Sequence, residues 1–278
     1  MRPIAIPSYI MKLWNAGSNT DETNIALIRP LYEQLHKGEP EVSVVIPAYN
    51  EEKNILRTLL SLSSNVTNRA VEIIVVNNNS IDKTEALVNA TGISCIRETK
   101  QGITAARNAG LAAARGKFVL NADADSIYPA DWIDLMTAPL ANDDNVCITY
   151  GRFAFLPTGK TSRTSYYFYE QAADTIRWVN KSFKEEAVNV YGFNSGFRRL
   201  QGIAVNGFDH PAGANEDGWL AVKLREKFGR LHCVTDSKAM VWTADRRIEM
   251  DGGLWKALFT RAKRILFPSK KVDIRKDL

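Results

Sequence analysis

The 278-residue sequence contains no long apolar run, and cysteine and histidine are scarce, with three of each. No stretch reaches the ~18 uninterrupted apolar residues that a membrane-spanning helix needs. The opening residues, MRPIAIPSYI, have too short an apolar segment for a signal peptide. We therefore expect a cytoplasmic protein. The cysteines Cys95, Cys147 and Cys233 lie in apolar contexts without a C-x-x-C pair, which predicts buried, reduced thiols.

Glycine-rich phosphate loops are also missing. Neither G-x-x-x-x-G-K-[ST] nor G-x-G-x-x-G follows a predicted strand, which argues against P-loop enzymes and Rossmann-type dehydrogenases. The main body lacks excess positive charge as well. From Arg246 onwards there are ten Lys or Arg against four Asp or Glu, a surplus of 6, whereas the whole chain carries only +5. The preceding residues are thus about neutral, which excludes an extended nucleic-acid-binding surface there.

What the sequence does contain is an alternation of buried strands and amphipathic helices. The runs VSVVIP, VEIIVV and KFVLN are rich in β-branched and apolar residues and predict strands. Helical patterns follow the first two strands, and we expect Asn50 to cap the first helix with Glu51 in its opening turn. Such alternation predicts an α/β fold with a mostly parallel sheet flanked by helices. After Ser126 the pattern is less regular and indicates α+β elements, among them a strand in NVCITYGRF and a capped helix in NEDGWLAVKLREKFG.

Asp123 and Asp125 follow the strand KFVLN directly, at the sheet edge where parallel α/β folds bind ligands. Two carboxylates ~6 Å apart repel by roughly 3 kcal/mol at an effective dielectric of ~20, so water, a shared proton or a cation must offset the repulsion. Mg²⁺ and Mn²⁺ prefer one or two carboxylates together with substrate phosphate oxygens. The alternative is a pair of turn-forming aspartates, which are common at strand ends.

Five blocks of sequence, taken in order, resemble the family-2 glycosyltransferases of the GT-A fold. They are VSVVIPAYNEEKNI, IIVVNNNSIDKT, GITAARNAGLAAARGKFVLNADAD, GFNSGFRR and NEDGWLAVKL, and the match runs from about Val42 to Arg247, most of the chain. The resemblance implies transfer of a sugar, with inversion, from a nucleotide-diphosphate donor to an acceptor hydroxyl. A UDP-sugar is the expected donor, and Mn²⁺ or Mg²⁺ the expected cofactor.

The same resemblance implies roles for individual residues. Asn78 stands where the family commonly has an aspartate that meets the base. Asp125 is the expected direct metal ligand, assisted by Asp123. The full donor-binding set is Pro47, Ala48, Tyr49, Glu51, Asn78, Arg107 and Asp123. Many members have a histidine after the catalytic block, but this chain reads AMVWTADRR there, which leaves Arg246 and Arg247 as alternative diphosphate contacts.

Asp217, paired with Glu216, is the implied catalytic base. A carboxylate there would take the proton of the attacking hydroxyl, although both residues would also complement a helix dipole. Asn194, Ser195 and Gly196 are expected in the acceptor wall. Trp219 fits either sugar stacking or core packing equally well.

The resemblance divides the chain into an N-terminal extension (1–40), a nucleotide-sugar half (41–126), an acceptor and catalytic half (127–247) and a basic C-terminal segment (248–278). Residues 252–267 form an amphipathic pattern that predicts either docking on the domain or adsorption to an anionic membrane surface. A carbohydrate or lipid-linked acceptor in cell-envelope polysaccharide or glycolipid synthesis is expected. The competing functions are a sugar-phosphate nucleotidyltransferase and a non-catalytic nucleotide-sugar-binding protein.

Overall fold

The structure, a computed structural model, describes residues 2–250, 253, 254 and 256. The strands are β1 Val42–Ala48, β2 Val71–Asn77, β3 Ser94–Arg97, β4 Phe118–Asn121, β5 Ser126–Ile127, β6 Val146–Gly151, β7 Phe153–Leu156, β8 Ser195–Arg198, β9 Arg230–Val234 and β10 Val241–Ala244. The helices are α1 Ser8–Asn15, α2 Asp21–Leu35, α3 Ile55–Ser63, α4 Thr84–Thr91, α5 Ile103–Ala113, α6 Trp132–Asn142, α7 Arg163–Phe183, α8 Arg199–Ala204, α9 Glu216–Phe228 and α10 Arg246–Met250.

Within these residues a seven-stranded sheet runs in the order β3-β2-β1-β4-β8-β6-β9. Only β8 is antiparallel to its neighbours β4 and β6, while the other described pairings in this sheet are parallel. The predicted α/β class with a mostly parallel sheet flanked by helices is confirmed.

Successive residues of a strand point to opposite faces of the sheet, and here both faces are covered by helices. In β1, Val44 and Ile46 belong to the apolar cluster that includes α2, α3 and α6 residues, whereas Val45 belongs to the cluster with α5 and α9. The continuous apolar runs recognised in the sequence are therefore the centre of a three-layer core.

A smaller sheet of order β5-β10-β7 lies beside the large one. The strand predicted in NVCITYGRF is present as β6, but it ends at Gly151, and after Arg152 the chain continues as β7 of the small sheet. The backbone carbonyl of Arg152 accepts hydrogen bonds from Asn194 Nδ2 and from the amide of Val241. Those partners turn the chain from one sheet to the other.

The first helix begins later than the sequence predicts. Asn50 has a positive φ of 54° and does not cap α3, which starts at Ile55. The Asn50 side chain accepts a hydrogen bond from the amide of Ile81 instead. Glu51 consequently lies in a turn at the sheet edge rather than in a helix.

The first 40 residues pack into the same core as the rest of the domain. Ile28, Tyr32 and Leu35 of α2 lie in the apolar cluster that also contains the buried side chains of α3. Arg2 is 4% exposed and pairs with Glu170 and Asp174 of α7. This segment is therefore an integral part of the folded unit.

The sequence predicts buried, reduced cysteines and no membrane-spanning helix. All three cysteines are free, with Cys147 buried and the other two half-buried. Among the described residues, no helix combines the length and the hydrophobicity that crossing a bilayer requires. The amphipathic pattern of 252–267 lies largely outside the described residues, although Leu254 is 5% exposed and packs in a cluster with Tyr166 and Tyr169.

Candidate functional site

Charged side chains converge at the carboxyl ends of β1 and β4, the edge that the sequence predicts to bind ligands. Glu51 follows β1, and Asp123 and Asp125 follow β4. Two arginines from other parts of the chain, Arg107 and Arg246, lie among these carboxylates. We call this group of charged residues, together with Asp217, the charged edge.

Arg107 joins the aspartate pair to the predicted base. Its Nη2 lies 3.2 Å from Asp123 Oδ1, and its Nε lies 3.4 Å from Asp217 Oδ1. Helix α5 can bring Arg107 this close because Gly110 packs directly on β1, where a Cβ would lie only 2.2 Å from Val45 Cγ1. Asp123 and Asp217 therefore border the same guanidinium rather than separate cavities.

Asp217 lies in the first turn of α9, whose N-cap Asn215 accepts a hydrogen bond from the amide of Gly218 at 2.9 Å. Oδ2 of Asp217 accepts a 2.7 Å hydrogen bond from the amide of Gly192. Burial raises the pKa of Asp217 to about 7, even though the positive charge of Arg107 acts in the opposite direction. Arg107 itself stays protonated, as guanidinium groups do in proteins. A carboxyl group poised near neutrality suits proton transfer.

Arg246, the first residue of α10, bridges the other two carboxylates. Its Nη2 lies 2.7 Å from Glu51 Oε1 and 2.7 Å from Asp125 Oδ2. Burial tends to lower the pKa of Arg246, but the hydrogen bonds to Glu51 and Asp125 outweigh that effect and raise it. Burial raises the pKa of Glu51, and the hydrogen bond from Arg246 opposes the rise.

The aspartate pair fits a divalent cation as a two-carboxylate set. Among the described residues there is no group of three or more His, Cys, Asp or Glu arranged around one ion. Asp123 and Asp125 offer hard oxygen ligands, and phosphate oxygens would complete the coordination that Mg²⁺ or Mn²⁺ requires. Of the two Asp125 oxygens, Oδ2 is in contact with Arg246 at 2.7 Å, and Oδ1 accepts a 3.5 Å hydrogen bond from Ser126 Oγ.

The three asparagines at the end of β2, Asn77, Asn78 and Asn79, form hydrogen bonds within the protein. The side-chain Nδ2 of Asn78 donates to the carbonyls of Glu98 and Lys100, so both of its N–H groups are used. The Oδ1 atom accepts a hydrogen bond from the amide of Gly102. Asn78 is 4% exposed. The base contact predicted for it stays a prediction, and it could use only the second lone pair of Oδ1.

The predicted acceptor residues do not all face a cleft. Asn194 and Ser195 are each 1% exposed, and Gly196 lies inside β8, where a Cβ would meet Leu120 at 2.3 Å. Asn194 accepts from Trp132 Nε1 at 2.8 Å, and Ser195 accepts from Asn121. Burial commits these side chains to internal hydrogen bonds, and their role toward an acceptor stays a prediction. Trp219 is 36% exposed and is the accessible member of the predicted set.

The nucleotide-side residues of β1 differ in accessibility. Ala48 is 2% exposed, Pro47 is half-buried, and Tyr49 is 45% exposed. The side chains of Tyr49 and Glu51 are thus the ones offered to a ligand. Ala48 contributes backbone, and its carbonyl accepts a hydrogen bond from the amide of Asn78.

Two residues that position the charged edge were missed from the sequence. Gly192 leaves room for Arg107 and Asp217, since a Cβ there would lie 2.1 Å from Arg107 Nη2 and 2.4 Å from Asp217 Oδ1. Tyr128 accepts a 2.8 Å hydrogen bond from the amide of Asp123 and donates a 3.0 Å bond to the carbonyl of Phe193. Gly192 opens the stretch GFNSGF, where a glycine could have indicated close packing, but no local pattern distinguishes Tyr128.

Comparison with known proteins identifies relatives of the chain. Residues 43–200 match the model of glycosyl transferase family 2. The matched region ends before the block that contains Asp217. The probable glycosyltransferase YdaM of Bacillus subtilis is 30% identical over 74% of this chain, and the putative glycosyltransferase EpsH of the same organism is 29% identical over 58%. The chain spans only 50% and 47% of the lengths of these two relatives.

Solved structures share the fold. S. aureus TarS in complex with UDP aligns with a TM-score of 0.57 and 20% identity over 73% of this chain and 60% of that one. The mannosyltransferase PcManGT of Pyrobaculum calidifontis, in complex with GDP-Man and Mn²⁺, aligns with a TM-score of 0.56 and 20% identity over 95% of this chain and 76% of that one. The predicted GT-A fold is confirmed.

Proposed function

Because the chain belongs to glycosyltransferase family 2, we propose that it transfers a sugar from a nucleotide-diphosphate donor to an acceptor hydroxyl with inversion at the anomeric carbon. Asp217 is the base in this proposal, and Asp123 and Asp125 hold the diphosphate through a divalent cation. A UDP-sugar is the proposed donor, since TarS binds UDP, although PcManGT binds GDP-Man.

One observation carries the proposal: Arg107 contacts both Asp123 and Asp217. Its Nη2 and Nε lie 3.2 and 3.4 Å from oxygens of these two carboxylates. A donor whose diphosphate lies beside Asp123 would thus place its sugar near Asp217. Inverting transfer needs a base on the face opposite the leaving group.

In the proposed step, the acceptor hydroxyl attacks the anomeric carbon while its proton moves to Asp217. Within the described residues, the buried Oδ1 of Asp217 has an ion-pair contact but no hydrogen bond, whereas Oδ2 is held by Gly192, so Oδ1 is the oxygen left to take a proton once the acceptor reaches it. The bond from the anomeric carbon to the diphosphate breaks, and its electron pair leaves with the nucleoside diphosphate. Arg107 stabilises the ionised carboxylate until the proton arrives.

A cation bound by Asp123 and Asp125 would supply positive charge to the departing diphosphate. The charged edge contains four carboxylates and two guanidiniums, so when all are ionised its net charge is negative and favours a cation. Mn²⁺ and Mg²⁺ both satisfy this requirement, and Mn²⁺ accompanies GDP-Man in PcManGT.

The acceptor is proposed to be a carbohydrate or a lipid-linked sugar in cell-envelope polysaccharide or glycolipid synthesis, with Trp219 stacking against it. Relatives that carry such a role in their names include the succinoglycan biosynthesis protein ExoO of Rhizobium meliloti, 37% identical over 33% of this chain. Attachment of residues 252–267 to the inner face of the membrane is part of this proposal, and docking on the domain, which the packing of Leu254 favours, is its alternative. Sedimentation with anionic vesicles, compared with a chain ending at residue 251, tests it.

The function itself is tested by incubating the protein with a panel of nucleotide sugars, Mn²⁺ and candidate acceptor sugars. The expected product is a nucleoside diphosphate, with the anomeric configuration of the new bond inverted by NMR. Asp217→Asn is the matched control, because it removes the base while preserving the shape of the side chain. Release of pyrophosphate would indicate nucleotidyl transfer instead, and binding without turnover for every donor and acceptor would contradict catalysis.

A further inference from the structure

Arg246 contacts the carboxylate of Asp125, which would also bind the cation of the proposed function. Its Nη2 contacts both Glu51 Oε1 and Asp125 Oδ2 at 2.7 Å. A guanidinium and a divalent cation bound to the same carboxylate oxygen would repel each other strongly at this distance. Cation binding through Oδ2 of Asp125 would therefore displace Arg246.

The backbone of Arg246 is held from the preceding residue. Asp245 is fully buried, and its carboxylate accepts hydrogen bonds from the amide of Thr158 at 2.9 Å and from the hydroxyl of Tyr166 at 2.7 Å. The Arg246 side chain, by contrast, is 42% exposed. The long side chain can therefore rotate away from Asp125 while α10 keeps its place.

The Arg246 guanidinium, once released beside the cation site, would be placed to bind the diphosphate that is coordinated by the cation. Guanidinium groups bind phosphate oxygens through charge-assisted, often paired, hydrogen bonds. Without a diphosphate, the displaced Arg246 would lose its two carboxylate contacts and gain only water.

We propose that Arg246 is the resident counter-ion of Asp125 and Glu51, that a divalent cation displaces it, and that the donor diphosphate then receives it. Arg246 is thus a positioning residue that couples cation binding to donor binding. The inference rests on the cation site of the proposed function. Its consequence is that the cation binds weakly alone and more tightly with nucleotide, and the coupling must be reciprocal.

The test is a Mn²⁺ titration, followed by the electron paramagnetic resonance signal of free Mn²⁺, with and without UDP. Arg246→Gln is compared with the wild type and with Arg230→Gln. The control removes the same charge from an exposed arginine that pairs with Asp143 at 2.8 Å, outside the charged edge. Asp125→Asn reports whether Mn²⁺ uses Asp125 at all.

Removing the competing charge should make Arg246→Gln bind Mn²⁺ alone roughly tenfold more tightly than the wild type and the control. The factor by which UDP tightens Mn²⁺ binding should shrink in the same variant. If Arg246→Gln binds Mn²⁺ alone no more tightly than the wild type, while Asp125→Asn loses the ion, the counter-ion role is overturned and the proposed function stands. If Asp125→Asn binds Mn²⁺ like the wild type, or if no variant binds it, both the counter-ion role and the proposed cation site are overturned.

Discussion

Replacement of Gly192 by alanine should impair catalysis without contacting the donor directly. The added Cβ would lie 2.1 Å from Arg107 Nη2, 2.4 Å from Arg107 Cζ and 2.4 Å from Asp217 Oδ1. Reaching an ordinary contact of about 3.4 Å requires a shift of about 1.3 Å. Because Arg107 is 2% exposed and Asp217 is 7% exposed, neither side chain can move into solvent, and the displacement falls on their mutual geometry.

A misplacement of about 1 Å in a catalytic group costs on the order of 100-fold in rate. We therefore expect kcat/KM of Gly192→Ala to fall by roughly 100-fold, which corresponds to about 2.7 kcal/mol of transition-state stabilisation. Overpacking should also lower the free energy of unfolding by roughly 1–3 kcal/mol. Nucleoside diphosphate release measures the first effect, and thermal unfolding measures the second.

Gly218→Ala is the matched control, one residue beyond Asp217. Its Cβ would meet no described atom outside its neighbours closer than the carbonyl oxygen of Ala187 at 3.3 Å, and alanine favours a helix over glycine by about 1 kcal/mol. Activity of this variant should stay within about twofold of the wild type. If folded Gly192→Ala turns over within threefold of the wild type, the contact between Arg107 and Asp217 does not set the catalytic geometry, and the assignment of the base fails with it.

Further perturbations address other parts of the charged edge. Asp217→Asn should reduce transfer by roughly 10²–10⁴-fold while nucleotide binding measured by calorimetry stays nearly unchanged, and near-normal turnover would contradict the base assignment. Burial raises the pKa of Asp217 to about 7, and the base must be unprotonated, so kcat/KM should rise with pH through about 7; a flat profile from about pH 5.5 to 8.5 would speak against this. Asp125→Ala should weaken donor binding in Mn²⁺ much more than in EDTA, and equal losses in both would remove Asp125 from the cation site. Tyr128→Phe deletes the hydroxyl between the Asp123 amide and the Phe193 carbonyl, so unfolding free energy should fall by about 1 kcal/mol, and an unchanged denaturation midpoint would show that this bridge contributes nothing.

The strands at the centre of the sheet could be predicted because burial on both faces leaves a continuous β-branched run, as in Val42–Ala48. The end of β6 at Gly151 could not be predicted, because the next carbonyl, that of Arg152, accepts hydrogen bonds from Asn194 and Val241, which are distant in sequence. Local patterns cannot report partners that only the tertiary fold supplies.

The same distinction holds for the site. Asp123, Asp125 and Asp217 were recognisable from short motifs, and the structure brings Asp123 and Asp217 to one arginine. The contact of Arg246 with Asp125 spans 121 positions, and no motif contains both residues. Burial of Asn194 and Ser195 likewise follows from their place at the start of β8, which lies in mid-sheet between β4 and β6, rather than from their polar character.

The packing of α2 has a practical consequence for anyone who prepares a shortened protein. The family match begins at residue 43, but Ile28, Tyr32 and Leu35 shield an apolar surface that includes α3. A chain that begins at the family boundary would expose this apolar surface to solvent, and we expect such a chain to precipitate during expression. We therefore expect the folded protein to need residues 2–40 for solubility, and biochemical work should keep them.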